Sequence, residues 1–144
     1  MKPILLVIAP YYHAISEMLI NGATTAIYAA EQTAEMITVP GALEIPAAIA
    51  MAAKSDRYAG FVALGCVIRG ETTHYEIVSV ESARALQHLA ITKHVAIGNG
   101  ILTVENMEQA TARADITQGN KGGEAAQACM RMLHIRHIFG LDHS

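Results

Sequence analysis

The stretch Gly60-Phe-Val-Ala-Leu-Gly-Cys-Val-Ile-Arg-Gly-Glu-Thr-Thr-His-Tyr75 decides the fold of this chain. Its first part, up to Ile68, is apolar without alternating polar positions, which predicts a strand buried on both faces of a parallel sheet. Arg69-Gly70 ends this run, and a helical pattern begins at Tyr75 after a short polar turn. Such a turn presents unpaired backbone N–H groups at the positive end of a helix dipole, where anions bind. The stretch therefore predicts a parallel strand followed by a phosphate-binding turn, with His74 beside the anion.

The rest of the chain alternates between apolar runs of strand length and helical patterns. Strands are predicted at 4–9, 36–39, 61–68 and 95–101, and helices at about 15–30, 47–54, 75–90, 104–114 and 124–136. Pro46 suits the first turn of the second helix, and Thr103 is the predicted N-cap of the fourth. This alternation, without linkers or repeats, predicts one domain over residues 1–144. Its fold class is α/β, a three-layer α/β/α sandwich around a four-stranded parallel sheet.

Composition restricts the partners that the chain can have. It has 144 residues and a formal charge of −3, which argues against nucleic acid or an anionic membrane as the main partner. No apolar run reaches the roughly 18 residues of a membrane span. Charged residues make up only 16% of the chain, whereas the surface of a soluble monomer carries about 25–35%. We therefore expect a cytoplasmic protein that buries part of its surface in subunit contacts.

The cysteines and glycines give no sign of a metal or nucleotide site. Cys66 and Cys129 fall within a predicted strand and a predicted helix, without metal-ligand spacing, and are expected to be reduced core thiols. The glycines at 119, 122 and 123 do not directly follow a strand and fail the nucleotide-binding pattern. These residues therefore show neither a metal-ligand spacing nor a nucleotide-binding fingerprint.

Ligands of parallel sheets gather beyond the carboxyl ends of the strands. The segments predicted to lie there are 10–13, 40–45, 69–74 and 99–103. His74 is the candidate for proton transfer, because an unperturbed imidazole titrates at about pH 6.5. The alternative is a structural histidine, which is the more common role, and the chain has seven histidines.

The other polar residues near this edge have two interpretations each. Thr72 and Thr73 could bind a phosphate or could simply cap a helix. Glu44 lies in a loop bounded by two prolines and could accept hydrogen bonds from a polyol, or could be an ordinary carboxylate at a helix N-terminus. Arg113 could bind a phosphate through paired donors or could complement the dipole at a helix C-terminus.

Two further features are ambiguous in the same way. Tyr11 and Tyr12 follow the first strand and could stack on a planar ring, or could be turn or interface aromatics. Lys121 near the start of the last helix is electrostatically unfavourable and hints at a nearby anion.

Four separated motifs resemble the 6,7-dimethyl-8-ribityllumazine synthase family. They are Val39-Pro-Gly-Ala-Leu-Glu-Ile-Pro46, Leu64-Gly-Cys-Val-Ile-Arg-Gly-Glu-Thr-Thr-His-Tyr75, Gly100-Ile-Leu-Thr-Val-Glu-Asn106 and Gly119-Asn-Lys-Gly122. The resemblance covers essentially the whole chain. It implies a flavodoxin-like fold and the condensation of 5-amino-6-(D-ribitylamino)uracil with 3,4-dihydroxy-2-butanone 4-phosphate. It also implies homopentamers, or multiples of them, with active sites between adjacent subunits and no cofactor or metal.

The resemblance implies a role for each matching residue. His74 would be the proton donor and acceptor. Glu71 and Thr72 would hold the butanone phosphate mainly through backbone N–H groups, Arg113 would reach it from the neighbouring subunit, and Lys121 would lie near the site. The uracil and ribityl contacts would come from Tyr11, Ala42, Leu43, Glu44, Cys66, Val67 and Ile68. Among these, Tyr11 would stack on the uracil ring. The backbone of residues 66–68 would form hydrogen bonds with the edge of that ring, and Glu44 would accept hydrogen bonds from the ribityl hydroxyls.

The chain departs from the family pattern at several of these positions. Tyr11-Tyr12 replaces a Phe or Trp followed by a polar residue, and Leu43 stands where an aromatic residue is common. Asn99 occupies a place often held by an aromatic residue of the adjacent subunit. Two other functions therefore stay open beside catalysis, namely a lumazine- or flavin-binding module and a structural cage subunit.

Overall fold

The computed structural model describes residues 1–141. Four strands form one parallel sheet in the order β2-β1-β3-β4. The strands are β1 (Ile4–Ile8), β2 (Ala34–Thr38), β3 (Gly60–Ile68) and β4 (Ile97–Val104). The helices are α1 (His13–Ala29), α2 (Ile45–Lys54), α3 (His74–Lys93), α4 (Met107–Ala114) and α5 (Lys121–Ile138), with a short 3-10 helix at Ala42–Glu44.

Helices cover both faces of this sheet because the central strands are apolar at every position. Alternate residues of β1 point to opposite faces. Ile4, Leu6 and Ile8 pack with α1 and α5 in one buried cluster, whereas Leu5 and Val7 pack with α2 and α3 in a second cluster. The three-layer α/β/α sandwich is thus confirmed, and its strand order is that of flavodoxin-like folds.

Helix α5 lies directly on β4 because β4 has a glycine where the two elements meet. A Cβ atom built at Gly98 would come within 1.8 Å of the Ala125 carbonyl oxygen, which no side chain could tolerate. On the opposite face of β4, Asn99 and Thr103 stay exposed. This edge of the sheet therefore presents polar side chains to solvent in the isolated chain.

The predicted boundary between β4 and α4 was wrong. Thr103 does not cap a helix, because it pairs with Val67 inside β4. The true N-cap of α4 is Asn106, whose side chain accepts a hydrogen bond from the Gln109 N–H. Residues 99–103 are consequently strand rather than a loop at the carboxyl edge. Helix α5 also starts earlier than predicted, at Lys121, with Asn120 as its cap.

None of the helices within residues 1–141 combines the length and the apolar character that crossing a bilayer requires.

Candidate active site

A cleft of about 420 Å³ opens between β1 and β3. The strand order reverses at this point, because β2 lies on one side of β1 and β3 lies on the other. In an open parallel sheet this is the position at which ligands bind. Three connections supply its walls, namely those that follow β1, β2 and β3. The predicted site residues that line it are Tyr11, Ala42, Leu43, Glu44, Cys66, Val67, Ile68 and His74.

The first wall is the 3-10 helix between β2 and α2. The Glu44 N–H donates a hydrogen bond to the Gly41 carbonyl oxygen at 3.1 Å and stabilises this short helix. Pro46 follows in the first turn of α2. Ala42 is buried, whereas Leu43 is 40% exposed. Glu44 occupies the N-cap position of α2, but its carboxylate makes no capping hydrogen bond. The carboxylate is therefore available to a ligand in the cleft.

The second wall consists of the two tyrosines after β1. Their rings meet edge to face, with centroids 4.8 Å apart and planes at 79°. Tyr12 packs against the core cluster below α1, and burial, followed by the proximity of Cys66 and Tyr11, raises the pKa of its phenol. Tyr11 is 78% exposed. Tyr12 thus anchors the pair, and Tyr11 offers a free aromatic face.

The third wall is the carboxyl end of β3. Cys66, Val67 and Ile68 are half-buried, in contrast to the fully buried first part of the strand. Burial raises the pKa of the Cys66 thiol to about 11. Since the thiolate is the nucleophilic form of cysteine, this thiol is a neutral part of the wall near pH 7. Neither Cys66 nor Cys129 forms a disulfide.

The turn after β3 carries His74 as the first residue of α3. The turn residues and His74 are exposed. The His74 N–H donates to Thr72 Oγ1 at 3.3 Å, whereas Thr73 occupies the N-cap position without a side-chain capping bond. Within residues 1–141 the N–H groups of Glu71 and Thr72 have no protein acceptor. The turn therefore presents free donors at the N-terminus of a twenty-residue helix, as an anion site requires.

The remaining predicted residues lie apart from this cleft, at the β4 edge. A second cleft of about 470 Å³ is lined by Asn99, Arg113 and Lys121, among others. Arg113 donates to the Gln109 carbonyl oxygen at 3.2 Å, and its guanidinium has further donors to offer. Lys121 pairs with Glu124 of the same helix at 3.0 Å, and this carboxylate is one anion near the lysine.

The structure thus places most of the predicted residues in two separate groups within one chain. The cleft beside His74 holds the residues expected to bind the uracil and ribityl parts. The cleft at the β4 edge holds the expected arginine and lysine. Glu71 and Thr72 line neither of these two clefts and project from the turn.

Two polar residues at these sites were not predicted. Glu124 lines the second cleft, and its spacing of three residues from Lys121 on one helix was a signal that could have identified it. Arg69 joins three separate segments around the His74 turn. Its partners Glu76 and Glu105 are 7 and 36 residues away in sequence, and no local sequence pattern predicts such contacts.

An open parallel sheet with a histidine-bearing cleft at its carboxyl edge defines a class of α/β proteins that act on small molecules. Within the described 1–141 range, no group of three or more histidine, cysteine, aspartate or glutamate side chains is arranged to hold a metal ion.

The amino-acid sequence identifies the family within this class. Residues 2–137 match the profile of the 6,7-dimethyl-8-ribityllumazine synthase family. The chain is 56% identical over 139 residues to 6,7-dimethyl-8-ribityllumazine synthase of Bartonella henselae, covering 95% of this chain and 90% of the relative. It is 54% identical over 141 residues to the enzyme of Sphingopyxis alaskensis, covering 98% and 99%. A relative from Rhizobium meliloti, 6,7-dimethyl-8-ribityllumazine synthase 1, is 53% identical and is covered to 94%. The chain belongs to the 6,7-dimethyl-8-ribityllumazine synthase family.

Proposed function

We propose that this protein condenses 5-amino-6-(D-ribitylamino)uracil with 3,4-dihydroxy-2-butanone 4-phosphate. The products are 6,7-dimethyl-8-ribityllumazine, phosphate and water, and the reaction is the penultimate step of riboflavin biosynthesis. The observation that carries the proposal is the cleft in which Tyr11, Glu44 and His74 meet, in a chain that is 54% identical to the Sphingopyxis enzyme over almost the full length of both.

The first cleft suits the uracil substrate. An exposed aromatic ring such as that of Tyr11 can stack on the pyrimidine. The backbone of residues 66–68 offers the amide donors and acceptors that pair with the edge of a pyrimidine ring. The carboxylate of Glu44 accepts hydrogen bonds from the ribityl hydroxyls, which are donors. The segment of Ala42 and Leu43 brings this carboxylate to the cleft.

The turn suits the phosphate substrate and the proton transfers. In the proposed reaction the amine attacks the ketone, the carbinolamine loses water to give an imine, and phosphate is eliminated. The second ring then closes onto the remaining carbonyl with loss of a second water. The N–H groups of Glu71 and Thr72 hold the phosphate while it leaves, and His74 moves protons at each step. The reaction involves no net oxidation or reduction, and the proposal assigns its additions, eliminations and proton transfers to these groups without a cofactor or a metal.

We further propose that the second cleft completes the site of a neighbouring copy. Arg113 would bind the phosphate held by the turn of the adjacent subunit, with Lys121 close by and Asn99 facing the uracil. This arrangement fits the separation of the two groups of residues within one chain. Helix α3 also exposes the apolar side chains of Ile77 and Val80, at 53% and 58%, which favours their burial between copies. The proposed assembly is a homopentamer or a multiple of it, in the cytoplasm.

We also propose that residues 1–144 act as one domain. The family match extends from 2 to 137, and the last three residues lie outside the described part of the chain.

The test is a turnover assay with both substrates, run beside a native mass measurement. The proposal expects fluorescent lumazine and stoichiometric phosphate above the uncatalysed rate, and a mass that is a multiple of five chains. A protein that quenches flavin fluorescence without turnover would instead be a binding module. A monomer or dimer would contradict both the proposed assembly and a structural cage subunit.

A further inference from the structure

Arg69 connects three segments of the chain that meet beside the His74 turn. It directly follows β3, and its N–H extends the ladder to β4 by donating to the Val104 carbonyl oxygen at 2.9 Å. Its Nε atom lies 2.8 Å from Oε2 and 3.1 Å from Oε1 of Glu105, the residue after β4. Its Nη1 atom donates to Glu76 in the first turn of α3. We call these contacts the Arg69 network.

The same guanidinium also lies on an aromatic ring. Its Cζ atom is 4.3 Å from the ring centroid of Tyr75, a cation–π distance. Tyr75 and Glu76 directly follow His74. One side chain therefore holds the residue before the turn against the two residues after His74, and links both to the end of β4.

The turn itself has few restraints of its own. Its residues are exposed, and a Cβ atom at Gly70 would have no neighbour within 4 Å. The contacts between the turn and the start of α3 are two long hydrogen bonds of 3.3 Å, from the His74 N–H to Thr72 and from the Ile77 N–H to Thr73. The Arg69 network consequently adds side-chain contacts that tie the two ends of the turn together, where the backbone from 70 to 74 has only these long bonds within residues 1–141.

We propose that Arg69 is a positioning residue, which holds the Glu71 and Thr72 N–H groups and the His74 imidazole in the one arrangement that serves phosphate binding and proton transfer together. This inference rests on the proposed function for its catalytic consequence. Arg69 itself does not line the cleft beside His74. It acts through the turn.

The contact between Arg69 and Glu76 favours the charged form of both side chains. The hydrogen bonds to Glu105 and Glu76 raise the pKa of the Arg69 guanidinium. The backbone hydrogen bond of Glu76 and its bond to Arg69 lower the pKa of the Glu76 carboxyl. All three partners are about half exposed, and exposed ion pairs contribute little to global stability. Loss of the network should therefore change the turn more than the stability of the fold.

The experiment compares Arg69→Ala with Arg84→Ala. Arg84 is a matched control because it lies on α3 and pairs with Glu81 of the same helix, without joining separate segments. For Arg69→Ala we expect a loss of about tenfold or more in kcat and a rise in KM for the butanone phosphate, since small misplacements of catalytic groups are costly. The KM for the uracil substrate should stay within about twofold, because its walls are not held by this network. Arg84→Ala should leave all three values unchanged.

Backbone hydrogen exchange gives a readout that does not depend on turnover. In Arg69→Ala the amides of His74 and Ile77, which donate to Thr72 and Thr73, should exchange faster, while those of β3 and α5 keep their protection. Unchanged exchange of these two amides would overturn the inference even if the wild-type protein proved inactive. If the wild-type protein showed no turnover and the Arg69→Ala variant still exchanged faster, the proposed function alone would be contradicted.

Two conservative variants separate positioning from general damage. Arg69→Lys keeps the charge but cannot reach both carboxylates with paired donors, and should recover only part of kcat. Glu76→Gln keeps the size of the side chain and should reproduce a milder form of the Arg69→Ala defect. Equal loss of kcat and of thermal stability in all three variants would contradict positioning. So would an active wild-type protein whose Arg69→Ala variant has unchanged kcat.

Discussion

Gly119 lies against the backbone of Arg113. A Cβ atom at position 119 would come within 2.8 Å of both the Cα atom and the carbonyl oxygen of Arg113. The Gly119 N–H also donates to the Ala112 carbonyl oxygen at 2.9 Å. This contact folds the segment after α4 back onto the end of that helix and brings Arg113 next to Lys121 at the start of α5.

Gly119→Ala is therefore expected to weaken the second cleft. The clash must be relieved by a shift of the backbone, because no flexible side chain is available to move. Overpacking of this kind costs about 1–3 kcal/mol of stability, and the displaced Arg113 should raise the KM for the butanone phosphate. Steady-state kinetics and thermal unfolding measure the two effects.

Gly65→Ala is the matched control for this substitution. A Cβ atom at Gly65 would meet Ala9 at 3.6 Å, an ordinary contact distance. The control should keep its melting temperature and its phosphate KM. If Gly119→Ala behaved like Gly65→Ala, the role of Gly119 in placing Arg113 would be refuted.

His74→Ala should lower kcat by about 10²- to 10⁴-fold, the usual contribution of a general acid–base group. Assembly and unfolding temperature should stay the same, because the imidazole is exposed at the start of α3. Steady-state lumazine fluorescence, native mass and thermal unfolding measure these three properties. His88→Ala, an exposed histidine on the same helix, is the control, and an equal loss in both variants would argue against a special role for His74.

Mixing two inactive variants tests whether each site is shared between copies. If His74 of one chain works with Arg113 of its neighbour, chains carrying His74→Ala and chains carrying Arg113→Ala complement each other. In randomly mixed rings about a quarter of the sites would hold both intact residues, since each interface is formed by two different surface patches. The measurement is turnover after joint refolding, relative to the wild-type protein.

Each variant refolded alone is the control in this experiment and should stay near the background rate. Mixed assemblies without recovered turnover, although native mass shows both chains together, would place His74 and Arg113 in one chain's own site. That outcome would contradict the proposed division of the two clefts.

The two cysteines predict a loss of stability in alkali. Burial raises the pKa of Cys66 to about 11 and that of Cys129 to about 12, from an ordinary value of 9.0. Below pH 9 the thiols are neutral in both states and the free energy of unfolding is unaffected. As the pH rises above 9, the unfolded chain releases protons that the folded chain retains, so that stability falls.

Urea unfolding between pH 8 and about 11 measures this slope. Cys66→Ala should flatten it without a large change at pH 8, because this side chain is only half buried. Cys129→Ala should lower stability at every pH through the cavity that it leaves, and should flatten the slope as well. A slope that is the same in all three proteins would show that other groups control the alkaline transition.

The sequence predicted the layers of the fold because the apolar run of β3 and that of β1 leave no polar face. The predicted end of β4 was wrong because β4 extends as far as its long neighbour β3. Thr103 and Val104 pair with Val67 and Ile68, the last residues of β3. A strand partner is a distant contact that a local pattern does not contain. The cap at Asn106 was detectable, since Gln109 stands three residues later and its side chain accepts from the Glu105 N–H at 2.9 Å, a variant of the capping box.

The candidate site was predictable to a similar degree. Tyr11, Glu44 and His74 lie between the end of a strand and the start of the next helix or in its first residue, and the carboxyl ends of parallel strands converge whatever their order. The Arg69 network could not be predicted, because its partners come from the start of α3 and the end of β4, and only the folded chain brings them together.

The Asn99 side chain also affects the outer edge of the sheet, apart from the second cleft. Its Oδ1 atom accepts a hydrogen bond from the Ile101 N–H at 2.9 Å, on the free side of an outer strand. Unpaired N–H groups on such an edge are templates for the uncontrolled addition of foreign strands, and proteins protect them with local side chains. The Asn99 side chain thus satisfies one N–H group of this edge and leaves one donor fewer for the fibre-like addition of a foreign strand.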